Sequence, residues 1–258
     1  MLRRIPTLLG CFNFVHLVAC KSAAAAAAAA AVPETASLIS QATDGDGTIA
    51  DPGIAYCGGI NDTTIVTTGD AENGPGFWIT NHDEGPETKY FLYENSRDEH
   101  PWKYLWLSTG ATAFVSVCET WQGRVVRGLP EVNLDGRVHN LGTWFASSVS
   151  PNGWMWGDIS FLEGCDGGGS VAATDGSDSI RECYEDLLTD VPPSALATKE
   201  TGTKVLAKLV GDKPNGAARN WELSKCSADK IWIDHDNSEP VITSTNGRLA
   251  FVFYKGKA

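Results

Sequence analysis

The chain has 258 residues, a formal net charge of −12 and a charged fraction of 20%. A negative surface repels phosphate groups, so this charge excludes nucleic acid and anionic membranes as expected partners, and leaves neutral glycans and cationic partners open. The part of the chain that follows a predicted N-terminal leader, described below, is long enough for one sizeable domain, since all-β domains of roughly 200–250 residues are common.

The N-terminal region predicts export rather than a folded element. Arg3 and Arg4 precede an apolar run from Ile5 to Ala19, which is the layout of a secretory signal. Cleavage after Ala19 and cleavage within the polyalanine run Ala23–Ala31 both stay open. No later stretch reaches the roughly 20 apolar residues of a membrane span, so we expect a secreted protein of the extracellular space or cell wall, without a transmembrane segment. The predicted segments are a signal and polyalanine region over 1–31, a loose N-terminal segment over 32–52 and one domain over 53–258.

Short runs rich in β-branched and aromatic residues follow one another from Tyr56 to Phe161. Each run is bounded by Gly, Pro, Asn or Asp, and this regular spacing predicts an all-β sandwich or barrel. The predicted strands are 64–67, 76–80, 90–93, 104–107, 113–117, 123–127, 143–146 and 157–161.

The C-terminal third is predicted to contain one helix before the chain returns to strands. Ser179 and Glu182 form a capping box, and the apolar positions that follow repeat at helical spacing as far as Leu188. The paired prolines after Val191 end this predicted helix. The other predicted elements are a second short helix at 193–198, a helix or strand at 205–210, and strands at 230–233 and, centrally in a sheet, 248–254.

The cysteines of the predicted domain favour disulfides over a metal site. They are widely scattered, no CxxC pair occurs, and an exported chain oxidises its thiols. Two disulfides and one leftover thiol are expected, but many pairings stay open because four cysteines pair in three ways for each choice of free thiol. Asn61 begins the only N-glycosylation triplet. The disulfide candidates are Cys57, Cys118, Cys165, Cys183 and Cys226.

Three polar motifs are interpreted as turns rather than as metal or phosphate sites. Gly164–Ser170 is glycine-rich but precedes no clear helix, so we expect a tight loop stapled by a disulfide at Cys165. Asp44–Gly47 lacks the glutamate of a calcium loop. Asp234–Asp236 could ligate a metal with help from His82–Glu84, but neighbouring strand residues face opposite ways, which favours a surface turn. No metal and no cofactor are therefore expected.

Nine tryptophans all lie beyond the leader, and most are expected to fill the core. Trp154 and Trp156 share one face of a predicted strand and stand immediately before Asp158. Exposed aromatic faces beside carboxylates suit neutral sugars, which stack on rings and donate their hydroxyl groups to acceptors. These two tryptophans are candidate ligand-binding residues, with core packing as the alternative.

Three runs stand in an order that is similar to a known family: Trp121–Arg127, Gly142–Ala146 and Trp156–Asp166. They resemble the G-R-(I/V)-W strand, the L-A-E-F strand and the D-(V/I)-S strand with its acidic loop of the thaumatin-like (osmotin) family. Arg248–Tyr254 resembles the C-terminal strand of that family. The resemblance is closest to small secreted proteins of filamentous fungi and extends over 56–254, with five cysteines where plant members carry many more.

The resemblance implies a β-sandwich with a smaller, partly helical second lobe held by disulfides. It also implies an acidic cleft between the lobes that binds β-1,3-glucan, lined here by Arg124, Asp158 and Glu163. The glutamate of L-A-E-F has no acidic counterpart, since Ala146 or its neighbours occupy that place. Asp158 and Glu163 would stand ~16 Å apart on an extended strand, whereas a glycosidase pair needs about 5–9.5 Å.

The resulting hypothesis is a secreted, monomeric, thaumatin-like protein that binds cell-wall β-glucan through an acidic cleft without catalysis. One alternative is an endo-β-1,3-glucanase that uses Asp158 and Glu163. Another is a fungal host-interaction protein with a protein partner. The missing glutamate counts against the glucanase, because binding needs acceptors and aromatic faces rather than a matched acid pair.

Overall fold

The computed structural model describes residues 55–58, 64–233 and 240–258. The leader, the Asp44–Gly47 motif, the Asn61 triplet and the Asp234–Asp236 motif lie outside these residues. Within the described ranges, no helix combines the length and the apolar character that crossing a membrane requires.

The described chain is built mainly from short strands, in agreement with the all-β prediction. Two α-helices interrupt them in the described ranges, α1 (Pro130–Asn133) and α2 (Gly216–Lys225), and Pro193–Ala195 forms one turn of 3-10 helix. The strands in chain order are β1 (Ile65–Thr67), β2 (Gly76–His82), β3 (Glu87–Glu94), β4 (Lys103–Ser108), β5 (Thr112–Ser116), β6 (Gln122–Gly128), β7 (Trp144–Val149), β8 (Met155–Ser160), β9 (Gly168–Ala173), β10 (Ile180–Cys183), β11 (Leu196–Thr198), β12 (Lys204–Leu206), β13 (Ile242–Ser244) and β14 (Arg248–Tyr254).

Two larger sheets form the scaffold of the described chain. Seven strands make one sheet in the order β1-β4-β3-β6-β7-β8-β13, and five make the other in the order β10-β9-β14-β2-β5. Strand β14 pairs in parallel with β2 and antiparallel with β9, which confirms its predicted central position. Strands β11 and β12 form a separate antiparallel hairpin.

Aromatic side chains from both sheets fill the space between them. Phe77 of β2 stacks on Phe251 of β14 at 4.7 Å, and Phe145 of β7 lies 4.3 Å from Phe253, measured between ring centroids. Trp121 is fully buried and packs edge-on against Phe77. Removal of this aromatic surface from water is the main source of stability for such a sandwich.

Strand β8 separates the core from the outer face of the seven-stranded sheet. Ile159 is fully buried, and a Cβ placed on Gly157 would collide with Leu249 of the opposite sheet, so these positions face the core. Successive strand residues point to opposite faces, so Trp156 and Asp158 lie on the outer face.

The region after β9 departs from the predicted helix. Ile180–Cys183 is strand β10, paired antiparallel with β9, so the helix predicted from Ser179 is wrong. The pairing with β9 overrides the helical spacing, and the alternation of the strand places Ile180 and Cys183 on opposite faces, so that Ile180 is exposed and Cys183 is buried. The short helix predicted at 193–198 is reduced to a 3-10 turn followed by β11.

The remaining C-terminal elements also differ from the predictions in detail. The ambiguous run at 205–210 begins in strand β12, and 230–233 contributes one bridge between Trp232 and Ser160 rather than a strand. Helix α2 was not predicted. It begins after Asn215, whose side chain accepts a hydrogen bond from the Ala218 N–H at 2.9 Å and so caps the helix.

Two disulfides join distant parts of the described chain, as expected, and one described thiol is left over. Cys57 pairs with Cys118 and Cys183 pairs with Cys226, over sequence separations of 61 and 43 residues. Cys165 is a free and fully buried thiol, so the predicted disulfide at this position is wrong. The glycines after Cys165 lead into β9 instead of forming a stapled loop.

Candidate functional site

Arg124, Ala146 and Asp158 form one row across the outer face of the seven-stranded sheet. Arg124 of β6 pairs with Ala146 of β7, which in turn pairs with Asp158 of β8. Neighbouring strands lie about 4.8 Å apart, so roughly 10 Å separates the Cα atoms of Arg124 and Asp158. The structure therefore brings two of the three predicted cleft residues to one face, with Ala146 between them.

The Arg124 guanidinium is fully engaged within the protein. It forms an ion pair with Asp98 at 2.6 Å and donates to the Asn140 side chain at 3.2 Å. It also lies over the rings of Tyr93 and Trp144, at 4.7 and 4.1 Å from their centroids. With 4% of its side chain exposed, Arg124 holds neighbouring segments together and offers no free cation to a ligand.

Asp158 is a buried carboxyl group on the same face. The residue is 4% exposed, and its side chain forms no hydrogen bond or ion pair with any residue that the structure describes. Burial raises the pKa of Asp158 to about 7, because the charged carboxylate would lose its hydration there. Asp158 is therefore a neutral acid under acidic conditions rather than a carboxylate displayed on an open surface.

Glu163 lies in the turn that follows β8 and is also buried, with 5% of the residue exposed. Its carboxylate lies 2.5 Å from the Lys208 ammonium group. Its carbonyl oxygen accepts the Gly142 N–H at 3.0 Å. All three predicted cleft residues are thus buried, and their side chains do not line an open acidic groove.

The two candidate tryptophans differ in exposure. Trp154, directly before β8, is 40% exposed. Trp156 is half-buried within β8, where it pairs with Ser148 on one side and Thr243 on the other. Of the two rings, that of Trp154 is the more accessible to a ligand.

A groove of about 760 Å³ opens where four loops meet at one end of the sandwich. We call it the end groove. Its volume falls within the roughly 300–1,000 Å³ that small-molecule sites occupy. The end groove is lined by Gly74, Pro75, Glu119, Thr120, Val149, Ser150, Pro151, Gly153, Asn246, Gly247 and Arg248.

Backbone contacts hold the walls of the end groove in place. Gly247 adopts a φ of 73°, and a Cβ at this position would lie 2.9 Å from the Gly153 carbonyl oxygen. Arg248 donates hydrogen bonds to the carbonyl oxygens of Gly74 and Glu72 at 3.1 and 3.0 Å. The close approach of these loops therefore depends on Gly247 and Arg248. Because these contacts form within the protein itself, the groove is preformed.

The surface of the end groove combines polar groups with apolar ring faces. Glu119 and Thr120 are exposed, and two prolines contribute apolar surface beside them. The Arg248 guanidinium is partly neutralised by Glu72 at 3.5 Å. Trp154 directly follows Gly153 of the groove wall. The groove itself can accept and donate hydrogen bonds and offers the two proline rings as apolar surface, and the exposed Trp154 ring stands next to it in sequence.

Sequence reasoning missed the end groove, although part of its signal was present. The dipeptides at 74–75, 152–153 and 246–247 contain Gly, Pro or Asn and mark turns. Loops that share one end of a sandwich often carry binding residues. Which turns share an end depends on the direction of each strand in the sheets, and the local sequence does not contain that information.

Two other groups of possible metal ligands are engaged elsewhere. Asp83, from the predicted helper motif His82–Glu84, accepts hydrogen bonds from Arg127 at 2.9 Å inside the protein. Among the described residues, one set of three possible ligands, Cys57, Glu94 and Cys118, has its ligand atoms within 4.8 Å of one another. Both sulfur atoms of that set are joined in a disulfide, so they are not free to bind a metal.

Comparison with protein-family models and with curated proteins finds no match for this sequence. The thaumatin-like resemblance therefore rests on the sequence motifs themselves. The functional interpretation rests on the geometry of the described residues.

Proposed function

We propose that this protein is a secreted carbohydrate-binding protein that holds a neutral cell-wall polysaccharide, such as β-glucan, in the end groove without cleaving it. The observation that carries the proposal is an exposed tryptophan, Trp154, which directly follows Gly153 in the wall of a preformed polar groove. Sugars bind by stacking an apolar face on a ring while their hydroxyl groups form hydrogen bonds, and this surface offers both kinds of contact.

The charges of the protein favour a neutral ligand over an anionic one. The chain has a net charge of −12, which repels polyanions at long range. Within the end groove, the Glu119 carboxylate can accept hydrogen bonds from hydroxyl groups, while Arg248 is already paired with Glu72 at 3.5 Å. A neutral polymer with many hydroxyl groups fits a groove that offers a hydrogen-bond acceptor and no unpaired arginine.

Export and the thaumatin-like relation, the other two parts of the hypothesis, have indirect support. Disulfides persist in oxidising compartments, so Cys57–Cys118 and Cys183–Cys226 support export together with the leader pattern. Strands β6, β7 and β8, which carry the thaumatin-like motifs, are neighbours in one sheet, which supports the proposed family relation. The binding surface that we propose is the end groove rather than the cleft implied by the resemblance, because the motif residues are buried.

The glucanase alternative has one observation in its favour. Burial raises the pKa of Asp158 to about 7, and a general acid must retain its proton near the working pH. Access counts against it, because Asp158 is 4% exposed and neither Asp158 nor Glu163 lines the end groove. Reducing-sugar release from laminarin that disappears in Asp158→Asn would favour the glucanase over simple binding.

A pull-down on insoluble β-1,3-glucan tests the proposal, using the wild type, Trp154→Ala and Trp106→Ala. Trp106 is the matched control because it is 46% exposed on β4, no residue of which lines the end groove, whereas Trp154 directly follows the lining residue Gly153. We expect the wild type and Trp106→Ala to bind equally. Trp154→Ala should bind about tenfold more weakly, which corresponds to about 1.4 kcal/mol of lost stacking.

The outcomes separate the site from the function. Failure of the wild type to bind glucan rejects the proposed function. Equal binding by Trp154→Ala and the wild type rejects stacking on Trp154, which is the observation that carries the proposed site. Binding to a host extract that free glucan does not compete away would favour the host-interaction alternative.

A further inference from the structure

His139 is a buried histidine held between two carboxylates from different parts of the chain. Its Nε2 atom lies 2.8 Å from Oδ1 of Asp135, in the same loop after α1. Its Nδ1 atom lies 3.6 Å from Oε2 of Glu200, in the turn between β11 and β12. The His139 side chain is 8% exposed, whereas that of Glu200 is 52% exposed. The imidazole therefore bridges two segments that are distant in sequence.

The contact with Asp135 fixes which nitrogen carries the proton. An ionised carboxylate can only accept a hydrogen bond, so the 2.8 Å contact requires the proton on Nε2 of His139. In the neutral ring, Nδ1 then presents a lone pair toward the Glu200 carboxylate. Within the described residues, Nδ1 has no hydrogen-bond partner. Two electron-rich atoms that face each other in this way favour a cation between them, either a proton on Nδ1 or a metal ion.

The distance between these atoms distinguishes a metal ion from a direct hydrogen bond. A nitrogen–oxygen hydrogen bond spans about 2.7–3.2 Å, which is shorter than the 3.6 Å between His139 and Glu200. Zinc binds imidazole nitrogen and carboxylate oxygen at about 2.0–2.2 Å, so two ligands of one tetrahedral ion lie about 3.4 Å apart. The observed separation is therefore close to that of two ligands on a shared zinc ion.

A small enclosed cavity adjoins the pair and supplies the space. Its walls include His139, Glu200, Thr201 and Trp144, and it has room for about one water-sized particle. Lys199, which also lines it, donates to Asp166 at 2.9 Å, so that ammonium group is already neutralised. Because the Glu200 side chain is 52% exposed, solvent water on that side would fill the remaining coordination positions of an ion bound here.

The geometry points to a divalent transition-metal site of the zinc class, with His139 Nδ1 and Glu200 Oε2 as the protein ligands and Asp135 as the residue that orients the ring. Carboxylate–histidine–metal arrangements of this kind fix the tautomer and raise the basicity of the ligating nitrogen. A bound ion would join the loop after α1 to the β11–β12 turn. The inference is independent of carbohydrate binding in the end groove.

Zinc titration of the full chain tests the assignment, with binding measured by calorimetry and by competition with a zinc-sensitive dye. We expect the wild type to bind one zinc ion at this site and to bind magnesium much more weakly. His139→Gln should lose the zinc site. Glu200→Gln should weaken zinc binding at least tenfold, and Asp135→Asn by about 10–100-fold. Because the Glu200 side chain is exposed, Glu200→Gln is expected to fold even if His139→Gln does not.

His82→Gln and Glu131→Gln are the matched controls, since both replace exposed residues that do not line this cavity. Both should bind zinc like the wild type. Absence of zinc binding by the wild type would overturn the assignment. Unchanged zinc affinity in Glu200→Gln and His139→Gln would also overturn it, because the ion would then lie elsewhere.

Discussion

Arg127 joins Asp83 to Asp166 in the protein interior, with nitrogen–oxygen distances of 2.9 Å to each carboxylate. All three side chains are at most 1% exposed. Tyr90 donates to Asp83 at 2.9 Å, and Lys199 donates to Asp166 at 2.9 Å. Burial alone would raise the pKa of Asp166, but Lys199 and Arg127 hold it below its ordinary value. The network links β6 to the loops beside β2 and β9.

Replacing Arg127 with methionine would leave two buried carboxylates without their shared cation. We expect Arg127→Met to lower the free energy of unfolding by about 3–5 kcal/mol, measured by urea denaturation. Lys89→Ala is the control, because it breaks an exposed ion pair with Glu87 and should cost less than about 1 kcal/mol. A loss in Arg127→Met no larger than in the control would show that the carboxylates do not depend on this arginine.

Glu222 is a second buried acid, but it lacks such partners. It is fully buried on the face of α2 that also carries Ala218, and neither carboxylate oxygen has a hydrogen-bond partner in the described ranges. Burial raises the pKa of Glu222 well above its ordinary value, and Arg219 offsets only part of this effect. The folded protein therefore favours the protonated form of this side chain.

The pH dependence of stability should reveal the Glu222 carboxyl group. Because the folded state binds its proton more tightly, the protein loses up to about 1.4 kcal/mol per pH unit from about pH 4.5 up to the folded pKa. Glu222→Gln removes this loss, so the variant should gain stability relative to the wild type between pH 5 and pH 7. Urea denaturation across this range provides the measurement, and parallel curves for the two proteins would contradict the prediction.

The strands were the most predictable part of the fold, because their pattern is local. The run at 90–93 falls within β3, and the run at 248–254 coincides with β14. Both contain aromatic residues and leucine whose burial supports the assignment. The helix predicted from Ser179 failed because 180–183 pairs with β9, a tertiary contact that the local spacing of apolar residues does not reveal.

The candidate site was less predictable, because it depends on which segments meet. The motif residues Arg124 and Asp158 do share a face, yet their burial depends on the loops and side chains packed over them. The link between Cys183 and Cys226 depends on a tertiary contact over 43 residues. The cap formed by Asn215 is a local signal that could have identified α2.

The Cys165 thiol should be inert in the folded protein. It is fully buried, and burial raises the pKa of the thiol, so little of the reactive thiolate forms near neutral pH. We expect the wild type and Cys165→Ala to react with the same number of equivalents of a thiol reagent under native conditions. In urea without reductant, the wild type should react with one more equivalent of the reagent than Cys165→Ala does. An additional reactive thiol in the native wild type would contradict the buried position.

Asp158→Asn tests both the electrostatics of the outer face and the location of the binding site. Since the pKa of Asp158 is raised to about 7, the folded wild type should lose stability as pH rises from about 4 to 7. The stability of Asp158→Asn relative to the wild type should therefore increase by up to about 4 kcal/mol between pH 4 and pH 7.5, measured by urea denaturation.

Glucan retention by the same variant distinguishes the end groove from the cleft that the motifs imply. Asp158 does not line the end groove, so a folded Asp158→Asn protein should bind insoluble glucan like the wild type. If this variant is stable but no longer binds, the ligand must reach the row that contains Arg124 and Asp158. That result would require the covering segments to open, because Asp158 is 4% exposed in the structure.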